Sequence, residues 1–350
     1  MVKQQILGYI GTYTNGDSLG IYSFSLDQSN GEVSVLADAA HVEKPTYLTI
    51  SKDNRFLYSV MQEQDGGGAA AYSINENGTL SLVNKQVLEG AAPCHISIDD
   101  SNQQLVTANY HKGTVDAYPV DAETGAIEAA SSIVEHTGSG PHERQEKPHV
   151  HFSGYTPDEK YVVVVDLGSD TVKTYEIDDG KLVEVSSLST KPGSGPRHIV
   201  FHPNGKFAYV MTELSNEVLV LAYDQAKGSF SQVQAISTIP ENFPENSQGS
   251  AIHISSDGRF VYAGNRGHDS IALFAVEGDG EKLSFVEHYS TEGDWPRDFS
   301  MDPSERFLLA SNQNSSNLTL YTRNPETGKL KLKQKDVSVP NPVCVKFLHQ

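Results

Sequence analysis

A motif of about 50 residues recurs along this chain and constrains its fold more than any other feature. Each copy opens with Pro or Gly and continues with a short apolar stretch, a turn and an apolar or aromatic stretch that ends on a polar residue. The copies begin at Pro45, Pro93, Pro148, Pro196, Gly249, Pro296 and Pro342. Their starts lie 48, 55, 48, 53, 47 and 46 residues apart, with a mean of 49.5. Self-similarity at a fixed period predicts a repeat architecture.

Each complete copy contains four segments in which apolar and polar residues alternate. Third segments such as Thr171–Tyr175 and Ser270–Phe274 are followed by a turn and a fourth segment. Alternation with a period of two, bounded by Gly, Asn and Asp, predicts antiparallel strands, and no long stretch shows helical periodicity. Four strands per repeat is typical of a β-propeller blade. An open β-solenoid and two β-sandwiches are the alternatives.

The two ends of the chain complement each other. The last copy stops after its first strand, at Gln350, whereas residues 7–13 match a second strand and residues 20–24 match a third. The N-terminal strands therefore complete the blade that the C-terminal strand begins, which removes two open sheet edges. An open solenoid needs caps instead of a shared terminal unit. We predict an all-β, seven-bladed β-propeller with four antiparallel strands per blade, in which residues 1–350 form one domain.

Charge and composition exclude several classes of protein. Asp and Glu number 45 against 26 Lys and Arg, so the formal net charge is −19. Nucleic acids and anionic membranes need a basic face, so we expect neither as a partner. No apolar run has the length of a membrane span or a signal sequence. Cys94 and Cys344 cannot form a disulfide framework, which favours the cytoplasm. We expect a monomer or a weak homo-oligomer.

Ionisable residues cluster where the predicted blades meet a central channel. The first strand of a blade lies innermost, so its start and the end of the antiparallel second strand lie at the same face of the disc. Polar side chains at one mouth of the channel favour a small polar ligand. Four of them break the repeat pattern: His149, Arg197, Glu213 and Arg266. Since a buried charge must be paired or bind something, we predict that these four have a functional role.

Other residues at the same mouth are predicted to contact the substrate. They are Arg144, Lys147, His198, Asn109, Asp166 and Arg297. Asn109 and Asp166 have an alternative interpretation as turn formers that bond the next loop. The insertion at residues 138–151 is interpreted as an anion-binding lid. Binding of a metal by His142, His149 and His151 is the alternative, but no Cys or carboxylate completes a recognisable pattern, so we predict no metal and no cofactor.

Several long motifs resemble those of a known family. They are GYIGTYT, the GSGP…RQ…PHVH loop, VVDLGSD, GSGPRHIVFHPNGKFAYVMTEL, ISSDGRFVYAGNRGHDSIALF and WPRDFSMDP. Over essentially the whole chain the sequence resembles the seven-bladed lactonase family, which includes propeller-type 6-phosphogluconolactonases and carboxymuconate-lactonizing enzymes. The resemblance implies that a His, two Arg and a Glu are catalytic, and these fall on His149, Arg197, Arg266 and Glu213. The fifth repeat departs from the pattern, with Gly249-Ser250 in place of Pro-Arg.

The activity that the resemblance implies is hydrolysis of 6-phospho-D-glucono-1,5-lactone to 6-phosphogluconate, in the oxidative pentose phosphate pathway. The substrate is a small anionic lactone. Glu213 or His149 could be the general base. One of Arg197 and Arg266 would stabilise the oxyanion and the other would hold the phosphate, with Arg144 or Lys147. The alternatives are a carboxymuconate cyclase and a non-catalytic binding scaffold.

Overall fold

The computed structural model describes residues 5–350 as 28 strands in seven four-stranded antiparallel sheets. Residues 1–4 lie outside the described residues. The first complete blade contains β4 Leu48–Ile50, β5 Phe56–Glu63, β6 Gly66–Ile74 and β7 Leu80–Glu89. The second contains β8 His95–Ile98, β9 Gln104–Asn109, β10 Thr114–Pro119 and β11 Ser132–Glu135. The third contains β12 Val150–Tyr155, β13 Val162–Asp166, β14 Thr171–Asp178 and β15 Lys181–Ser189.

Three further consecutive blades follow the same order of strands. The fourth contains β16 Pro196–Phe201, β17 Phe207–Thr212, β18 Glu217–Asp224 and β19 Ser229–Ser237. The fifth contains β20 Gln248–Ile254, β21 Phe260–Arg266, β22 Ser270–Glu277 and β23 Lys282–Ser290. The sixth contains β24 Pro296–Met301, β25 Phe307–Asn312, β26 Asn317–Arg323 and β27 Leu330–Ser338. The predicted seven-bladed propeller is confirmed.

The seventh blade, which we call the closing blade, joins the two ends of the chain. It contains β28 Pro342–Phe347, β1 Gln5–Thr12, β2 Gly20–Asp27 and β3 Glu32–His41, in the spatial order β28-β1-β2-β3. Strands β28 and β1 pair antiparallel, with Gly8 opposite Phe347 and Ile10 opposite Val345. Non-covalent closure by the terminal strands is therefore confirmed for the described residues.

Hydrophobic cores lie between the blades. Seven apolar clusters occupy the seven interfaces between neighbouring blades. Tyr58, Tyr209 and Tyr262, predicted to be core residues, are fully buried. The hydroxyl of Tyr209 donates to the Gly280 carbonyl at 2.8 Å and that of Tyr262 to the Gly328 carbonyl at 2.6 Å. Each of these bonds reaches the next blade, so the aromatic rings fill an interface and their hydroxyl groups link its two sides.

A β-bulge recurs at the start of the innermost strand in several blades. In the third blade, the position of this bulge shows which residues correspond to those of the other repeats. Pro196 pairs with Thr212 and Pro296 with Asn312, and the register then shifts over the following residue. In the third blade Val150, not Pro148, holds that position opposite Asp166. The innermost strand of the third blade therefore starts two residues later than the repeat pattern, which begins at Pro148, predicts. His151, not His149, is the structural equivalent of Arg197 and Arg297.

The first strands of neighbouring blades contact one another around the central channel, while the fourth strands form the outer rim. Bulged residues lie at one end of the innermost strands, and their displacement from the ladder turns their side chains toward the channel axis. This arrangement brings residues from all seven blades to one mouth. Over residues 5–350, no helix has the length and apolarity needed to cross a membrane.

Candidate active site

The bulged end of the channel opens into a cavity of about 530 Å³, which we call the mouth cavity. Its lining comes from loops and strand ends of all seven blades. The lining residues are Tyr13, Asn15, Lys44, Thr46, Gln62, Ala91, Ala92, Pro93, Cys94, Tyr110, His111, Arg144, His151, Glu213, Gln248, Arg266, Trp295 and Arg297. A cavity of this size accommodates a small sugar. The predicted position of the site, at one mouth of the channel, agrees with this cavity.

Glu213 lies at the centre of a group of charges that we call the arginine cluster, made of Glu213, Arg144, Arg197 and Arg266. Its Oε2 forms ion pairs with Arg197 Nε at 3.0 Å and with Arg266 Nη2 at 2.7 Å. Its Oε1 accepts a short hydrogen bond from Arg144 Nη2. Glu213, Arg197 and Arg266 are each at least 96% buried, whereas about a third of Arg144 is exposed. Three guanidinium groups against one carboxylate leave the cluster with surplus positive charge.

The electrostatics of Glu213 make it a poor proton acceptor. Burial raises the pKa of its carboxyl, but the guanidinium groups of Arg266 and Arg197 outweigh burial and hold the pKa well below its usual range. Both carboxylate oxygens also carry guanidinium partners. A carboxylate that stays ionised and contacts three guanidinium groups has little tendency to take a proton from water. It can instead orient those cations. The structure therefore favours a positioning role for Glu213 over the role of general base.

Gly249 and Ser250, which replace the Pro-Arg pair in the fifth repeat, accept hydrogen bonds from the arginine cluster. The Ser250 carbonyl accepts a hydrogen bond from Arg197 Nη1 at 2.7 Å, and the Gly249 carbonyl accepts one from Arg266 Nη2 at 2.6 Å. A Cβ on residue 249 would lie 2.3 Å from the Thr212 carbonyl oxygen. Glycine is therefore required for close approach of β20 to β17, and that approach directs two carbonyl groups at the two buried arginines.

The insertion at residues 138–151 delivers Arg144 to the mouth cavity. Gln145 is fully buried and anchors the loop, because its Nε2 donates to the Leu167 carbonyl at 2.8 Å and its Oε1 accepts from the His142 amide at 3.2 Å. Arg144 Nη1 also donates to Gln248 Oε1 at 3.1 Å. Lys147 is exposed and its Nζ donates to the His111 carbonyl at 2.8 Å, outside the cavity lining. The loop therefore supplies one cation to the cavity, not two.

His149 lies behind the cavity wall. Its ring stacks on Tyr110 with a centroid distance of 4.1 Å, Nδ1 lies 2.9 Å from the Tyr110 carbonyl oxygen, and Nε2 lies 3.2 Å from Glu146 Oε2. Both ring nitrogens are thus engaged, and Tyr110 forms the cavity wall in its place. The expectation that His149 faces the substrate does not fit this placement. His149 instead fixes Tyr110.

His151 is the histidine that lines the mouth cavity. Its Nδ1 is buried and has no hydrogen-bond partner within residues 5–350. Burial lowers the pKa of the His151 imidazole well below its ordinary value, and the charge of Arg197 lowers it further. His151 is therefore neutral at physiological pH, and its Nδ1, unlike the oxygens of Glu213, is not engaged by another group of residues 5–350. The sequence signal for it was the thirteen-residue spacing from Pro148 to Tyr161, where the other complete copies have eleven.

Three other predicted contacts are placed away from the mouth cavity. His198 lines a smaller space below it, with Arg197 and Tyr47. Asn109 Nδ2 donates to the Ala91 carbonyl at 2.8 Å, and its Oδ1 accepts from the Lys112 amide at 3.0 Å. Asp166 accepts hydrogen bonds from the amides of His149, Gly168 and Ser169 and pairs with His136 at 2.9 Å. The turn-forming alternative accounts for Asn109 and Asp166, because their polar atoms are already used.

Arg297, predicted to bind substrate, lines the mouth cavity. Sequence reasoning missed the lining residues Lys44 and Trp295. Lys44 and Trp295 each precede the proline of a first strand and have φ values of 52° and 65°. The repeat pattern begins at the proline, so the residue before it gives no signal in the sequence.

No group of three or more His, Cys, Asp or Glu side chains within residues 5–350 is arranged to hold a metal ion. His142, His149 and His151 in particular diverge. His142 Nδ1 accepts the Arg144 amide at 3.1 Å, His149 stacks on Tyr110, and His151 faces the cavity. The metal-binding alternative for this loop therefore has no support from its geometry.

Known proteins of similar sequence and structure share this seven-bladed architecture. The profile of the family described as "Lactonase, 7-bladed beta-propeller" matches residues 7–347. A Bacillus subtilis protein named 6-phosphogluconolactonase is 55% identical over 345 residues, which cover 98% of this chain and 99% of that protein. A crystal structure of a Lactobacillus plantarum protein has a TM-score of 0.95 and 42% identity, covering 99% and 100% of the two chains. The structure of a Pseudomonas aeruginosa periplasmic gluconolactonase has a TM-score of 0.92 and 33% identity, covering 98% and 99%. The chain belongs to the seven-bladed β-propeller lactonase family.

Proposed function

We propose that this chain hydrolyses 6-phospho-D-glucono-1,5-lactone to 6-phosphogluconate in the cytoplasm. The observation that carries the proposal is the pairing, in one sugar-sized cavity, of a neutral His151 with the surplus positive charge of the arginine cluster. Lactone hydrolysis needs an activated water and stabilisation of the oxyanion that forms at the carbonyl carbon. The name of the Bacillus subtilis relative supports the phosphorylated substrate.

In the proposed reaction His151 is the general base. It takes a proton from the water that attacks the lactone carbonyl, which its neutral imidazole can accept. Arg266, which lines the cavity, donates to the developing oxyanion. When the ester bond breaks, the proton on His151 passes to the departing ring oxygen, which regenerates the neutral imidazole. Arg197 lies below the cavity wall and holds Glu213 in place.

An unphosphorylated gluconolactone is the second candidate substrate. The structural neighbour from Pseudomonas aeruginosa, named a periplasmic gluconolactonase, favours it. The charge of the mouth cavity supports the phosphorylated lactone, because Arg144, Arg266 and Arg297 line it together with Lys44 against Glu213 alone. A chain of net charge −19 gains its affinity for an anion from such a local cluster.

The test is turnover by the purified protein of three lactones or lactone precursors: 6-phosphogluconolactone, glucono-1,5-lactone and a carboxymuconate. We expect hydrolysis of the first with the highest kcat/KM. Preference for glucono-1,5-lactone would reassign the substrate, closure of the carboxymuconate would reassign the reaction, and turnover of none would favour a binding scaffold. Activity is expected to survive exhaustive chelation. Its loss to EDTA with recovery on added Ca²⁺ or Zn²⁺ would contradict a metal-independent reaction.

The expectations of a cytoplasmic location and of a monomer or weak homo-oligomer remain part of this proposal. Cys94 and Cys344 are both free thiols, as is usual in a reducing compartment. Fractionation of the source cells and sedimentation of the purified protein are the direct measurements.

A further inference from the structure

Two cations in the mouth cavity have no anionic partner. Arg297 and Lys44 both line the cavity, and neither side chain forms an ion pair or a hydrogen bond with any residue of the range 5–350. The three arginines of the arginine cluster, by contrast, all contact Glu213. A partly buried charge without a counterion favours binding of an anion from solution.

Arg297 and Lys44 both contact the same segment of the closing blade, Arg297 through its side chain and Lys44 through its backbone. The Arg297 guanidinium carbon lies 5.3 Å from the centroid of the Tyr13 ring. The Lys44 amide donates to Thr14 Oγ1 at 3.1 Å. The Tyr13 amide in turn donates to the Asn341 carbonyl at 3.0 Å, at the start of β28. Stacking on an aromatic face positions a guanidinium group without using its N–H donors, so those donors remain available to a ligand.

The two cations come from the blades on either side of the closing blade. Arg297 is the bulged residue of β24, in the sixth blade, and Lys44 precedes β4, in the first. An anion that contacts both would therefore span the blade at which the ring is closed without a covalent link.

We propose that Lys44 and Arg297 form the subsite for the phosphate group of the substrate, above Tyr13 of the closing blade. This rests on the proposed function, and it separates the cavity into two parts. In this proposal the lactone carbonyl is assigned to the arginine cluster and His151, and the phosphate dianion to Lys44 and Arg297. Phosphate suits this pair because a guanidinium group presents two parallel donors and an ammonium group adds a point charge.

The subsite is tested by binding of the reaction product, which needs no turnover. Calorimetry would compare 6-phosphogluconate with gluconate on the wild type, Arg297→Gln, Lys44→Gln and the control Lys191→Gln. Lys191 is an exposed lysine in the loop before β16 and lies outside the cavity lining. We expect each subsite variant to bind 6-phosphogluconate about 10- to 100-fold more weakly, as for loss of a charge-assisted hydrogen bond. Gluconate affinity should stay within about threefold.

Thermal melting gives a second readout. Because the bound phosphate contacts blades on both sides of the closure, 6-phosphogluconate should raise the Tm of the wild type and of Lys191→Gln more than gluconate does. Arg297→Gln and Lys44→Gln should lose that difference. Melting without ligand shows whether each variant is folded.

The outcomes separate this proposal from the proposed function. The subsite proposal would be overturned if the wild type did not bind 6-phosphogluconate more tightly than gluconate. It would also be overturned if Arg297→Gln and Lys44→Gln kept that preference, whatever lactone the protein hydrolyses. A wild type that binds 6-phosphogluconate with the expected variant effects, but hydrolyses no lactone, would uphold the subsite and overturn the proposed reaction.

Discussion

Glu213 shows how the surroundings of one residue decide its role. As a residue type it is a reasonable general base, but three guanidinium groups contact its carboxylate and hold its pKa well below the usual range. Arg197 and Arg266 are themselves buried, so Glu213 is their principal counterion. Removing the negative charge leaves buried cations without compensation, which is strongly unfavourable.

Glu213→Gln is therefore expected to lower both stability and activity. We expect the free energy of unfolding to fall by about 3–5 kcal/mol, as on breaking a buried ion pair, together with loss of lactone hydrolysis. Chemical denaturation and kinetics measure the two effects. Glu146→Gln, which changes an exposed carboxylate, is the stability control. A Glu213→Gln protein of unchanged stability whose kcat alone has fallen would support Glu213 as the base.

His151 and His149 offer a matched pair for locating the base. His151→Asn should lower kcat by about 10²- to 10⁴-fold, the usual contribution of a general base. His149→Asn should act through the packing of Tyr110 and lower kcat by less. The reverse order of effects would restore His149 as the catalytic histidine.

The pH profile tests the same assignment. Since burial lowers the pKa of His151 below its ordinary 6.5, the imidazole stays neutral as pH falls through 6.5 and becomes protonated only at lower pH. The acid limb of kcat/KM should accordingly lie below pH 6.5. An acid limb at or above pH 6.5 would contradict His151 as the base.

At the scale of elements, the β-bulge at the start of five innermost strands, β12, β16, β20, β24 and β28, is the feature that builds the site. It displaces one residue from the ladder and turns it toward the channel, so that His151, Arg197 and Arg297 become neighbours although they lie in three blades. In β20 the equivalent segment supplies two backbone carbonyl groups to Arg197 and Arg266. The repeat thus provides the same bulged backbone in several blades, and the side chain at each bulge determines which functional group faces the channel.

Gly249→Ala tests the requirement for close approach at β20. The added Cβ would lie 2.3 Å from the Thr212 carbonyl oxygen, so β20 must move away from β17. We expect a loss of stability of about 1–3 kcal/mol, as on overpacking a core, and a fall in kcat as the two carbonyl groups leave the arginines. Ser250→Ala is the control, because it removes a buried hydroxyl group that has no hydrogen-bond partner in residues 5–350. Equal behaviour of the two variants would rule out this role for glycine.

At the scale of the whole molecule, closure of the ring depends on pairing between the two ends of the chain. Strand β1 lies between β28 and β2, and the apolar clusters on both faces of the closing blade include its residues. The prediction that the chain is one domain remains a prediction that this closure can test. If the ring unfolds as a unit, losing β1 will destabilise every blade.

Deleting residues 1–13 should abolish the single cooperative unfolding transition, because it exposes the edges of β28 and β2 and two apolar clusters. Scanning calorimetry would compare the van't Hoff and calorimetric enthalpies. A circular permutant that joins residue 350 to residue 5 and opens the turn at Asp179-Gly180 should retain cooperativity, because it keeps every strand pair. A truncated chain that melts like the full chain would contradict cooperative closure.

The sequence by itself determined the number of blades, their four-strand order and the closure by the terminal strands. These follow from periodicity, and a period is preserved along the chain whatever its local details. It also predicted a site at one mouth of the channel that includes Arg197, Glu213 and Arg266, because a charge that breaks a repeat is visible without coordinates.

The tertiary structure decided which histidine faces the cavity and what Glu213 does there. A two-residue insertion before β12 hid which histidine holds the bulge position, so the sequence pattern pointed to His149 although His151 is the bulged residue that lines the cavity. The low pKa of Glu213 and the unpaired state of Arg297 and Lys44 depend on distances between blades. Sequence spacing carries no such distances, because the contacts that shift a pKa join residues brought together only when the ring closes.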